Sequence, residues 1–181
     1  YYDQKTAKKK AAENGWKIAE EGKQGWRRIV PSPKPLEILE LNQINTLVNA
    51  NFTAITCGGG GIPVSEKSGS DYFGVEAVID KDLTSSLLAA KLKADYFILT
   101  TGVEKVALDF GQPEQRWLDK LEYDEALSLF QQGAFAPGSM APKINAMIQY
   151  LSHQAGAGII TSPDKILDAI SGKTGTHFTS N

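Results

Sequence analysis

"VEAVIDKDLTSSLLAAKLKADYFILTT" (Val75–Thr101) reads as an apolar approach, a helix and then a buried strand. Leu83, Leu87, Leu88 and Leu92 fall on one helical face, and Ala89 and Ala90 are strong helix formers. Asp80 and Asp82 suit the start, because carboxylates cap free N–H groups and favour the positive end of the helix dipole. Lys81, a cation at that same positive end, does not. "DYFILTT" (95–101) follows as an apolar strand.

The same alternation extends in both directions. Residues 3–14 read as a polar, Lys-rich helix stopped at Gly15, with "KTAKKK" as a solvated face. Two short strands around a Gly-containing turn follow in "WKIAEEGKQGWRRIV", and Pro31, Pro33 and Pro35 impose an extended exit. This small hairpin piece is expected to protrude. Residues 36–49 carry a helical pattern, "FTAITC" (52–57) a buried-type strand, and "EKSGSDYFG" (66–74) a loop or hairpin. "KVALDFG" reads as a strand or extended segment, 123–132 as a helix, and "FAPGSMAPKINAMIQYLSHQ" as the start of another. "GAGIITS" is a late strand, 163–171 a short helix and "GTHFTS" a last strand. The expectation is an α/β fold with a largely parallel sheet sandwiched by helices. Ligands in such sheets collect at the carboxyl ends of strands, near 57–64, 79–82, 99–103 and the loop before Met140.

Composition narrows the function. The 181 residues are 41% hydrophobic, enough for a core, with a net charge of −2. That charge gives no general basic footprint for nucleic acid. A single cysteine, Cys57, rules out an internal disulfide and fits a reducing compartment. No apolar run approaches the roughly 18 residues needed to span a bilayer.

The second unusual lysine lies in "APGSMAPKINAMIQYL". Ser139 suits the N-cap, Pro142 the first turn, and Lys143 follows within that turn. Two lysines at the positive ends of two helices suggest a shared anion, such as a phosphate held jointly by N–H groups and ammonium charge. Two solvated surface lysines are the alternative. Four successive glycines (58–61) at a strand end would let backbone approach a ligand, or form a flexible turn. They are not a dinucleotide fingerprint, since Pro63 follows and no helix opens there. "GKTG" is not a Walker loop, because Leu167 stands where the first glycine belongs. His153 and His177 lack metal-ligand spacing, and no nucleophile elbow occurs.

Seven stretches together, "RRIVPSPKP", "CGGGGIPV", "VEAVIDKDLTSSLLA", "TGVEKV", "FGQPEQRWL", "FAPGSMAPKINA" and "GKTGTHF", resemble the carbamate kinases, members of the amino-acid kinase superfamily. The resemblance implies phosphoryl transfer between carbamoyl phosphate and ADP, giving ATP and carbamate, with Mg²⁺ on the nucleotide. It implies that Lys81 and Lys143 hold the transferred group and that Asp80 organises them. Asp82, Thr101, Val103, Phe110 and Met140 would border the nucleotide, with Gly59 and Gly60 near the reacting groups and no metal-ligating side chains. It also implies a cytoplasmic homodimer acting on small molecules in arginine metabolism, without nucleic-acid or membrane partners. Residues 1–35 would belong to a protruding subdomain and 36–181 to the nucleotide-binding part. The family's G-G-N-A and H-G-N-G-P-Q motifs are not in this chain, nor is a substrate lysine expected just upstream of Tyr1. The chain therefore looks like a C-terminal portion, inactive alone. Another small-molecule kinase of the superfamily, or a non-catalytic nucleotide-binding module, are the competing readings.

Overall fold

The structure, a computed structural model, describes residues 1–67, 71–153 and 156–180. They form two compact units, one of Tyr1–Pro33 with Ile62–Ile79, the other of Lys34–Gly61 with Asp80 onward. The first unit thus takes in a segment that the sequence reading leaves with the larger part. Part of the expected 66–74 loop (68–70), and Gln154 of the expected long helix, lie outside the described residues.

In the first unit, α1 (Gln4–Asn14) begins where the Asp3 side chain accepts the Thr6 N–H. It ends at Gly15 in the left-handed region, whose N–H caps Ala11 O. Strands β1 (Lys17–Glu20) and β2 (Trp26–Ile29) pair antiparallel, as do β3 (Val64–Glu66) and β4 (Tyr72–Gly74). Arg28 ties these pieces together, stacking over Trp16 at 5.0 Å and pairing with Glu76 at 2.6 Å.

The second unit holds the main core. Its elements are α2 (Leu41–Asn49), α3 (Lys81–Leu92), β5 (Tyr96–Thr100), β6 (Val106–Leu108), β7 (Arg116–Leu118) and β8 (Lys120–Glu122). They continue with α4 (Tyr123–Gln131), α5 (Met140–His153), β9 (Ala157–Thr161), α6 (Ile166–Ile170) and β10 (Thr176–Thr179). The four-stranded sheet runs β5-β9-β10-β8, and β6 and β7 form a separate hairpin. Pairings β5–β9 and β10–β8 are parallel, but β9–β10 is antiparallel. Two of the three pairings are thus parallel, as expected, and β10 running against β9 makes the sheet mixed.

One sheet face packs on α5, whose Ile144, Ala146, Met147 and Tyr150 are fully buried with Phe97, Leu99, Ile160 and Phe178. Burial raises the Tyr150 hydroxyl above its ordinary pKa, and the group donates to Ala94 O at 2.5 Å. A Cβ at Gly158 would overlap Met147 Sδ and force that buried side chain to shift.

Helix α3 buries a different face from the leucine stripe. Asp82, Thr84, Ser86 and Ala89 are buried, whereas the four leucines are half-buried. Small residues allow α3 to approach α5 closely enough for Ser86 Oγ to donate to Ala146 O at 2.8 Å. Two further expectations fail. Residues 52–57 are not a strand, since none of the described residues supplies a hydrogen-bonding neighbour, and Ile55 is 99% exposed. The 36–49 helix starts only at Leu41, after a turn closed by Leu41 N–H on Ile38 O.

Candidate functional site

The two helix starts singled out by their lysines meet in space. Asp80 is the N-cap of α3, and its Oδ1 accepts the N–H groups of Asp82 at 2.8 Å and Leu83 at 3.1 Å. Asp82, two residues further on, is turned inward with a side chain only 7% exposed. Its Oδ2 receives Lys143 Nζ at 3.1 Å and Lys81 Nζ at 3.4 Å. Lys143 also reaches Oδ1 at 3.3 Å. Both ammonium groups thus share one oxygen atom, Lys143 12% exposed and Lys81 58%.

This geometry corrects one assignment. The carboxylate between the lysines is Asp82, whereas Asp80 Oδ1 is engaged by backbone N–H groups. The physical reason is helical direction: an N-cap side chain folds back over its own first turn, while the second helical residue faces α5. The Thr84 hydroxyl lies 2.9 Å from Gly60 O and 3.2 Å from Asp80 O, so the glycine turn is pinned to the start of α3. Gly60 is buried, Gly59 is exposed, and Cys57, Gly58, Gly60 and Gly61 all have positive φ.

Two ammonium groups stand beside two carboxylates, but Asp80 is spent on the N–H groups of α3 and only Asp82 meets the lysines, so the half-exposed Lys81 and the N-terminus of α5 are what the site can offer an anion.

A cleft of about 420 Å³ opens at the carboxyl end of β5. Thr101, Val103, Phe110 and Met140 all line it, together with Asp109, Gln112 and the 133–137 loop. Its size and mostly apolar wall suit the flat base of a small-molecule ligand. A second hollow of about 340 Å³, lined by Asp80, Leu83, Ala141, Pro142 and Asn145, lies across Pro137 from the first. Met140 and Ala141 therefore present successive positions of one helix start to the two hollows. Asn145, Pro137 and Phe135 escape sequence reasoning, because nothing in their local spacing marks them.

At the base of the β6–β7 hairpin, Lys105 Nζ bonds Asp119 Oδ1 at 2.5 Å and holds that carboxyl below the usual aspartate range. Among the described residues no group of three His, Cys, Asp or Glu side chains converges as a metal site. Nor is any helix among them long and apolar enough to cross a membrane.

The site thus consists of paired lysines at two helix N-termini and an apolar cleft at a strand end. The sequence profile of the amino acid kinase family matches residues 7–162, and the chain belongs to that family. It is 44% identical over 177 residues to a carbamate kinase of Thermococcus kodakarensis, covering 98% of this chain and 56% of that protein. It is 46% identical over 166 residues to a carbamate kinase of Thermoplasma volcanium, covering 92% of this chain and 54% of the relative. Among solved structures, carbamate kinase from Giardia lamblia bound to AMP-PNP superposes with a TM-score of 0.89 at 40% identity. That match covers all of this chain and 57% of the other. The chain thus spans a little over half the length of these relatives.

Proposed function

We propose that this chain carries the nucleotide-binding and phosphoryl-transfer part of a carbamate kinase, which moves a phosphoryl group between carbamoyl phosphate and ADP to give ATP and carbamate. The observation that carries the reading is the meeting of Lys81 and Lys143 on one oxygen of Asp82. Phosphoryl transfer asks little covalent chemistry of a protein; it asks for positioning and for positive charge where negative charge spreads.

In this reading Lys81 and Lys143 exchange part of their hold on Asp82 for the oxygens of the transferred group. Asp82 keeps both ammonium groups aimed, and Asp80 fixes the start of α3 that presents Lys81. The base occupies the cleft between Phe110 and Met140, with Thr101 and Val103 on the β5 side, and Gly59 and Gly60 lie toward the reacting groups. Mg²⁺, when bound through the nucleotide phosphates, would neutralise further charge; the only buried carboxylate of the described residues is already shared by two cations. A cytoplasmic homodimer acting on small molecules in arginine metabolism completes the proposal and is supported by family likeness.

The test is ATP formation from carbamoyl phosphate and ADP by the complete protein that contains this chain, beside a panel of amino-acid and nucleoside-monophosphate acceptors. Turnover with carbamoyl phosphate, cut at least about 10²-fold in Lys81→Ala and Lys143→Ala, is expected. Turnover only with another acceptor would reassign the substrate, and ADP binding without turnover would favour a non-catalytic module.

A further inference from the structure

The motif "GKTGTHF" plays no part in the site described above, yet its turn reaches the wall of the cleft from behind. Thr176, at the start of β10, is fully buried and sits opposite Ile160 of β9 in the main sheet. Its Oγ1 accepts the Val106 N–H at 2.8 Å and donates to Leu118 O at 2.5 Å. Val106 and Leu118 are the facing residues at the base of the β6–β7 hairpin. One hydroxyl therefore uses both its donor and its acceptor capacity to bridge a hairpin and a sheet that share no strand pairing among the described residues. Two positions earlier, the Thr174 hydroxyl donates to Glu104, just before that hairpin base.

The other end of the hairpin is cleft wall. Ala107, Asp109, Phe110 and Gln112 line the cavity. Asp109 and Gly111, both at positive φ, fix the bend, and Phe110 packs edge-on against Trp117 at 6.2 Å. The hairpin is short, so a shift at its base carries to Phe110 with little loss.

We propose that the 174–176 turn is a positioning element for nucleotide binding, with the Thr176 hydroxyl setting the angle of the β6–β7 hairpin and hence the place of Phe110 against the base. The proposal rests on the reading of this cleft as the nucleotide site. Thr176 does not face the cleft and touches no reacting group. The lysines are held by Asp82 and not by this hairpin, so loosening it alters affinity rather than the transfer step.

The experiment uses the complete protein, with ADP titration, steady-state kinetics and amide hydrogen exchange. Thr176→Val keeps the side-chain shape and strands two buried backbone groups. It should raise the ADP dissociation constant and KM about tenfold, with kcat within a factor of about two. Exchange should quicken across 106–118 and stay unchanged in α3 and α5, and Thr176→Ser should restore every parameter. Unchanged exchange, or faster exchange with unchanged ADP affinity, overturns the proposal, as does a fall in kcat with KM unmoved. If Thr176→Val does not fold, Thr174→Val takes its place. It is expected to raise KM about threefold and to quicken exchange at 104–108, and no change in either overturns the proposal. Failure of the wild-type protein to bind ADP would instead sink the nucleotide-site reading, leaving hydrogen exchange across 106–118 to decide whether Thr176 holds the hairpin.

Discussion

A carboxylate that is 7% exposed and touched by two ammonium groups is costly to disturb from either side. Asp82→Asn keeps the shape and removes the charge, so Lys143, itself 12% exposed, loses its counter-ion. Breaking such a pair from one side costs about 3 kcal/mol. Thermal melts should show that loss, and added phosphate should recover part of it by replacing the missing negative charge. A melting temperature that neither falls in the variant nor responds to phosphate would mean that the lysines do not depend on an anion. The two lysines were legible in the sequence because a cation at the positive end of a helix is locally unfavourable. The role of Asp82 was not. Acids flank Lys81 on both sides, and only the direction of α3 against α5 decides which of them turns inward. Lys81 tolerates its poor local site because Asp82 is there to meet it, and because a bound phosphate would do the same.

Among the elements, those with strong end signals were the readable ones. Gly15 closes α1 and Asp80 opens α3, and both act in the structure as their residue types suggest. Helix faces were harder. The leucine stripe of α3 drew attention, yet close helix packing selected Ser86 and Ala89, whose value lies in being small. Strands β7 and β8 are each three residues long, too short to display alternation. Residues 52–57 have strand composition, but no strand among the described residues pairs with them, and pairing is a property of two segments, not one. Close packing also makes a sharp demand at β9. Gly158→Ala forces a methyl group into Met147 Sδ and should destabilise by about 1–3 kcal/mol, read as a lower denaturant midpoint with unchanged slope. A midpoint equal to wild type would show that α5 and β9 pack more loosely than described.

At the scale of the whole molecule, the α/β class followed from repeated alternation of helix and strand patterns. The antiparallel placing of β10 beside β9 did not, because strand order and direction are properties of paired segments and no single stretch displays them. The division into two units follows contacts rather than sequence order, since Ile62–Ile79 joins the N-terminal residues across an intervening segment. Family membership rests on residues 7–162, and the chain spans a little over half of the relatives it matches. The most direct measurement is a crystal structure of the complete protein with a non-hydrolysable ATP analogue. Lys81 Nζ and Lys143 Nζ should both lie within hydrogen-bond reach of the same phosphate group, with the base between Phe110 and Met140. A nucleotide bound elsewhere, or lysines still turned only toward Asp82 with the phosphates out of reach, would contradict the shared-anion site.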